Sequence, residues 1–206
     1  MLFPVDVASV LSGASVRQLD HWRRTELLVP EYSTQPVRYS FRDLVALRIV
    51  MKLRTDLSLQ KVRKAFGNLP AYNFTHHPGE YRFGTDGDTI AVMDLDDQQW
   101  TDLVRQPGQP HLFTLAEVFA PFTTQTGRKV VDFMRPRKRL QVDSERMGGW
   151  PTIAGTRVGF DTVANLMEDG SLTAEDVHYY YPSVAVEAVA DAVSFAEDVV
   201  LARSVA

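Results

Sequence analysis

Arg17, Gln18, His21 and Arg24 fall on one side of a helical projection of the stretch Gly13–Arg24, with Asp20 and Arg23 at its edges. Guanidinium, carboxamide and imidazole groups so placed can reach base edges and phosphates, which is the chemistry of major-groove reading. The same pattern also suits an ordinary solvated helix face. Gly13 breaks the preceding segment, Ser15 is a good N-cap, and Val16, Leu19 and Trp22 line the opposite face. Trp22 therefore reads as a core residue and not as a stacking platform.

Other chemistry-bearing residues lead to weaker sites. Asp94, Asp96, Asp97 and Asp102 cluster, but the alternating ligands, sharp-turn glycine and terminal glutamate of a calcium loop are absent. A solvated acidic surface is the better reading. His76 and His77 are adjacent, and neighbouring side chains on a strand diverge. There is no cysteine, which excludes disulfides, thiolate zinc sites and cysteine nucleophiles. No nucleophile–base arrangement or phosphate loop stands out. The expectation is a protein that is not an enzyme and holds no cofactor or metal.

The composition is that of a soluble globular chain, and 206 residues suffice for one large domain or several small ones. The start, MLFPVDV, lacks the features of a signal peptide, and no apolar run is long enough to span a bilayer, so a cytoplasmic location is expected. The formal charge of −4 hides an asymmetry. Residues 1–70 carry a net +5, residues 71–134 a net −5 and residues 135–206 a net −4. A basic front on an acidic body points to an anionic partner at the N-terminus.

The elements that must position these residues can be read in order. Pro4–Leu11 is expected to be a first helix and Ser15 to Thr25 a second. Leu27 to Ser40 reads as a small hairpin, since Pro30 and Pro36 block helix. Ser40 caps a strongly apolar helix over Phe41–Arg54, and Ser58 caps Leu59–Phe66, closed by Gly67 and Pro70. Glu80–Phe83 and Thr89–Asp94 flank an Asp86-Gly87 turn, giving a second hairpin. Phe113–Pro121 reads as a short helix. The basic stretch Thr126–Arg139 reads as one strand, Lys129–Met134, followed by a solvated connector, with a second DNA-backbone contact as the alternative.

The order helix, turn, helix, hairpin, helix, helix resembles the winged helix-turn-helix of the MerR-like family. The residues that carry the resemblance are Ser15-Val16-Arg17, Trp22-Arg23-Arg24, Leu27-Leu28-Val29-Pro30, Arg38-Tyr39-Ser40-Phe41 and Leu57-Ser58-Leu59. It covers residues 3 to 69. It implies that the helix beginning at Ser15 enters the major groove and that Arg38 of the wing contacts a backbone phosphate. The candidate DNA contacts are Ser15, Arg17, Gln18, His21, Arg23, Arg24 and Arg38. The sequence departs from the family after the fourth helix: Tyr72–Gly79 is a loop where a long dimerisation helix is usual, and cysteine metal sensing is ruled out.

From Leu140 a second pattern runs: Gly148-Gly149-Trp150-Pro151-Thr152-Ile153, then Gly155-Thr156-Arg157-Val158. A helix Phe160–Glu168 stops at Gly170, and Thr173 with Asp176 caps another that ends at Tyr179-Tyr180-Tyr181-Pro182. Ser183 is expected to cap a last helix with Val186, Val189, Ala190, Val193 and Ala196 as its apolar stripe. This stretch resembles a small domain of VapB-type antitoxins, such as those of mycobacteria, long catalogued as a domain of unknown function. The resemblance implies a type II toxin–antitoxin pair in which the chain silences a PIN-type ribonuclease toxin. Arg157 either ties the Gly155 turn, the preferred role, or reaches a partner's carboxylates. Three consecutive tyrosines cannot all face a core, so at least one should be exposed. The candidate toxin contacts are Arg157, Tyr179, Tyr180 and Arg203, with Tyr181 in the same cluster.

The fold expected is mainly α with small β-hairpins. Residues 1–70 form the winged helix-turn-helix, 71–134 a middle β-containing segment and 135–206 a three-helix, helix-turn-helix-like unit. The function expected is an antitoxin and autorepressor acting as a homodimer on double-stranded promoter DNA, with no membrane partner. The rival is a free-standing regulator that senses a small molecule through a middle pocket lined by Tyr81, Phe83, Trp100 and Phe113.

Overall fold

The structure, a computed structural model, describes residues 2–93, 100–104, 111–112 and 114–204. It is mainly α with small antiparallel strand pairs. The head begins with β1 (Phe3–Pro4), α1 (Val5–Ser12) and α2 (Val16–Arg24). Then follow β2 (Ser33–Thr34), β3 (Val37–Tyr39), α3 (Phe41–Leu53) and α4 (Leu59–Asn68). The middle holds β4 (Arg82–Thr85), β5 (Ile90–Met93), β6 (Trp100–Asp102), β7 (His111–Leu112), α5 (Leu115–Phe119), β8 (Phe122–Thr123) and β9 (Lys129–Val130). The last unit is β10 (Leu140–Gln141), β11 (Thr152–Ile153), α6 (Phe160–Met167), α7 (Ala174–Tyr180) and α8 (Val186–Ser204).

Local chemistry explains most helix starts. Ser15, Ser40, Thr114 and Thr173 each accept a hydrogen bond from the backbone N–H three residues on, and the side chain at that third position accepts one from the cap's own N–H. Each such box satisfies two orphan donors at once. The wing is a three-stranded sheet in the order β1-β3-β2, with Phe3 opposite Tyr39 and Thr34 opposite Val37. The sequence reading had the β2–β3 hairpin but not the strand before α1. In the middle sheet, order β6-β5-β4-β7, the β4–β5 turn is tied by Asp86, whose Oδ1 accepts from the N–H of Asp88 and Thr89 at 2.8 Å each. Those two bonds, Thr89 foremost, hold the Asp86 carboxyl below the usual carboxylate range.

Three sequence expectations shift. The strand proposed over Lys129–Met134 is only Lys129–Val130, because Phe133 turns inward, fully buried, with its N–H on the Phe119 carbonyl at 2.8 Å. The last helix begins at Val186, so Ser183 is not its cap. Its buried stripe is Ala188, Val189, Ala192, Phe195 and Val199, while Ala190 is exposed. The helix turns that face inward because α8 is covered from two sides, by α6 and by α1 of the head.

One hydrophobic core runs through all three segments. Trp150 stacks on Phe3 of β1 at 5.8 Å and on Phe160 of α6 at 5.6 Å, and Phe160 meets Phe195 of α8 edge-on at 4.8 Å. Gly149 sits so close to the head that a Cβ there would lie 2.4 Å from the Phe41 ring. The glycine-tryptophan signature of the last unit is thus the joint to the head.

Gly13 closes α1 with φ at +85°, and a Cβ would lie 2.5 Å from a Val130 methyl carbon of β9. Gly13→Ala is expected to destabilise by about 2–4 kcal/mol, from the left-handed backbone and the clash together. Gly67, inside α4 with nothing within 4 Å of a Cβ, is the control. Gly67→Ala should instead stabilise by about 0.5–1 kcal/mol in the same urea titration.

Candidate nucleic-acid interface

Helix α2 is built as the sequence pattern requires. Leu19 and Trp22 are each 1% exposed, and Arg17, His21 and Arg24, at i, i+4 and i+7, are exposed on the other side. Arg17 and the His21 ring have no intramolecular acceptor among the described residues. Arg23 donates to Asp20 Oδ1 at 2.8 Å, and Arg24 pairs with the other oxygen of the same carboxylate. The Arg23 bond, first, holds the Asp20 carboxyl below its ordinary range. Asp20 therefore holds two guanidiniums along the helix edge.

Ser15 and Gln18 are partly occupied. The Gln18 amide oxygen accepts from the Ser15 N–H at 2.8 Å, and Ser15 Oγ accepts from the Gln18 N–H at 3.2 Å. The first task of both residues is to start α2, which leaves the Gln18 amide nitrogen free to donate outward. Arg38 on β3 is half-buried and donates to the Val37 carbonyl at 3.0 Å. It shares a shallow cleft with Val16, Asp6 and Arg203, which puts the wing arginine beside the first turn of α2.

Sequence reasoning missed several positioning residues. Arg63 of α4 donates to the carbonyl and hydroxyl oxygens of Thr25 at 3.1 and 3.0 Å, and so fixes the end of α2. Arg48 of α3 is 0% exposed. Its Nε donates to the Val118 carbonyl at 2.6 Å and its Nη1 to that of Leu11 at 2.6 Å. Its Nη2 reaches the carbonyls of Phe119, Ala120 and Val131 at 2.7–2.9 Å. Four of these oxygens lie at the C-terminal ends of α1 and α5, where helix dipoles favour a cation, and the fifth, of Val131, lies beyond β9. The rings of Phe122 and Phe133 cover the guanidinium at 5.3 and 5.5 Å. Burial lowers its pKa to about 10, so it stays charged at neutral pH. The signal was legible: a helix apolar on every side is buried on every side, and Arg48 stands in its middle.

His76 and His77 lie in no strand but just before the 3-10 turn Pro78–Glu80, which His77 caps. His77 Nδ1 accepts from the Gly79 N–H at 3.1 Å, so in the neutral ring Nε2 carries the proton, 3.0 Å from Asp43 Oδ1. Asp43, fully buried, also accepts from the N–H of Ser40 at 2.7 Å and of Glu31 at 3.2 Å. Glu31, Asp43 and His77 present ligand-type atoms within 4.8 Å of one another. Hydrogen bonds within the chain already engage each of them, including Ser40 Oγ and Arg42 on Glu31. Of the acidic run, Asp94, Asp96 and Asp97 lie outside the described residues. Asp102 accepts from the Thr89 hydroxyl at 2.5 Å and the Val104 N–H at 2.7 Å, a turn role.

The basic connector is anchored at two of its arginines, while Arg135 and Lys138 are exposed. Arg137 pairs with Asp198 and donates to the Ser194 carbonyl at 3.2 Å, and the Arg139 N–H donates to Asp191 at 2.8 Å. Both clamp α8. In the last unit, Thr156 ties the Gly155 turn: its hydroxyl donates to the Ile153 carbonyl and accepts from the Val158 N–H, each at 3.0 Å. Arg157 does not share that work; it is exposed, with no partner among the described residues. The preferred structural role of Arg157 is thereby corrected, since Thr156 and Arg146 complete the turn without it. Tyr179 and Tyr180 are 79% and 61% exposed. Arg203 pairs with Asp6 of α1, its Nε at 3.0 Å, which ties the end of α8 to the head. Tyr81 and Phe83 are buried core residues, packed on Phe74 and Phe66 at 5.1 and 5.2 Å, and Phe113 lies outside the described residues.

Tyr39, opposite Phe3 in the wing, has its hydroxyl pushed up to about 12 by burial. Unfolded, it ionises near 10. Between those values the folded chain keeps a proton that the unfolded chain has released, so stability must fall as pH rises. Urea titrations at pH 9 to 12 should show this loss shallower in Tyr39→Phe than in the parent.

Comparison with known proteins fits this geometry at both ends of the chain. Residues 3–69 match the MerR HTH family regulatory protein, and residues 140–196 match a protein of unknown function family, DUF433. Uncharacterised HTH-type transcriptional regulators of Mycobacterium bovis and of two Mycobacterium tuberculosis strains are 40% identical over 68 residues, which is 30% of this chain and 30% of theirs. The chain thus spans under a third of the length of the curated relatives it matches. No solved structure matches it. Among the described residues no helix is long and apolar enough to cross a membrane. The chain is thus similar to a MerR-type helix-turn-helix over its first third and to a DUF433 domain near its C-terminus.

Proposed function

We propose that this chain is a cytoplasmic antitoxin and autorepressor: the head holds promoter DNA and the last unit holds a PIN-type ribonuclease. The observation that carries the DNA half is the face of Arg17, His21 and Arg24, exposed on a helix whose back is locked in the core. A homodimer would set two such helices about one helical turn of DNA apart on a near-palindromic operator. Arg38 beside the start of α2 suits a backbone phosphate.

The toxin half is supported by what the last unit leaves unused. Tyr179 and Tyr180 are large, exposed and in edge contact at 5.5 Å, and Arg157 is an exposed cation. Aromatic and arginine side chains are those that dominate protein interfaces. A PIN-type nuclease keeps an acidic metal pocket, which a guanidinium can enter. Arg203 contributes differently from the other candidates. Its bond to Asp6 joins α8 to α1, so a toxin that pulled on α8 would be felt in the head.

Pull-down of the full chain from its own host, with mass spectrometry, tests the pair. A stoichiometric small nuclease, silent in the complex, is expected. Recovery of DNA alone would favour the second reading, a free-standing regulator that senses a small molecule. That reading has its own observation: a cleft of about 290 Å³ where Val10 and Val16 of the head face Leu201 of α8, with Arg128 and Lys129 in its lining.

A further inference from the structure

A second cleft, of about 310 Å³, opens between the head and the β8–β9 hairpin. Arg54, just past α3, and Arg128, just before β9, both line it, together with the hydroxyl residues Ser15, Thr124 and Thr126 and the carboxamide of Gln18. No carboxylate lines it among the described residues. Neither arginine has an ion-pair partner among them. Arg54 Nε is buried and donates to nothing, the one such buried side-chain atom among the described residues. Arg128 makes a single long bond, Nη1 to the Gly13 carbonyl at 3.5 Å. Burial holds its guanidinium below the ordinary value, with Asp198 the only carboxylate acting against that, and Asp198 is already paired with Arg137. Elsewhere this chain answers its buried and part-buried guanidiniums with acceptors, Asp20 for Arg23, Asp198 for Arg137 and five carbonyls for Arg48, as it does not for the part-buried Arg54.

We propose that this cleft is an oxyanion site that takes a phosphoryl group between Arg54 and Arg128. A tetrahedral dianion supplies charge for both guanidiniums and acceptors for the threonine hydroxyls, and arginine forks match phosphoryl oxygens in pairs. The cleft reaches Ser15 and Gln18, the capping box that starts α2, so occupancy bears directly on the reading helix. A backbone phosphate of bound DNA and a free phosphorylated metabolite share this chemistry.

Titration calorimetry of the full chain with sodium pyrophosphate, at ionic strength fixed with chloride, is expected to show one saturable site. Arg54→Gln and Arg128→Gln, each first checked by thermal melting in chloride, should weaken it about tenfold or more. A salt series on DNA from upstream of the chain's own gene separates the two sources. If the occupant is DNA, pyrophosphate competes with it and each variant lowers the slope of log K against log salt by about one. If it is a metabolite, the slopes are unchanged, and pyrophosphate alters DNA affinity in the parent but not in the variants. Absence of pyrophosphate binding to the parent, or equal binding to a folded double variant, overturns the site whatever the DNA result. Loss of DNA binding with pyrophosphate binding intact would strike only the reading of α2.

Discussion

Arg48→Ala is expected to cost at least ~3 kcal/mol of stability, a large part of what a domain usually has. The side chain satisfies five backbone carbonyls drawn from α1, from the end of α5 and from the segment leading to the last unit. A buried carbonyl left without a donor costs about 1–3 kcal/mol, and water entering the new cavity can repair only some of them. Removing the charge recovers part of the loss, since desolvating a guanidinium is itself unfavourable. That credit is small here, because two helix ends and two aromatic faces already compensate the cation. Arg48→Lys should fail nearly as badly, because an ammonium has three donors and no planar fork. Urea denaturation followed by circular dichroism measures this. A loss below about 1 kcal/mol in Arg48→Ala would mean that the carbonyls find other partners, and that the head and middle are not joined through this residue.

Arg17→Ala combined with Arg24→Ala should weaken promoter binding by about 2–6 kcal/mol, or roughly 30-fold to 25,000-fold, if each side chain meets a base edge or phosphate. Both lie on the solvent side of α2, so the fold should stand. Arg24 leaves its pair with Asp20 in order to bind, an exposed pair whose own worth is small. Electrophoretic mobility shift at two salt concentrations, with thermal melting as the control, measures the effect. The same variant should still neutralise a co-expressed partner nuclease. Equal loss of both functions in a folded variant would mean that head and tail act as one surface. The Phe3–Trp150 stack and the Arg203–Asp6 bond are the contacts through which that would happen.

What the sequence by itself determined is local. The N-cap at Ser15, the capping box at Thr173, the hairpin around Pro36, the Asp86-Gly87 turn and the buried back of α2 all depend on residues within four positions of each other, so their spacing records them. The exposure of Tyr179 and Tyr180 followed from the same logic, since a helix has no geometry that buries three tyrosines in a row. The tertiary structure alone decided the rest. Arg48 finds its acceptors 37 to 83 residues away, Asp43 meets His77 across 34, and Asp6 meets Arg203 across 197. No periodicity in the chain encodes such distances. The apolar stripe of α8 was misjudged for the same reason. Small and β-branched residues surround that helix, and only the arrival of α1 on one side and α6 on the other decides which of them face inward.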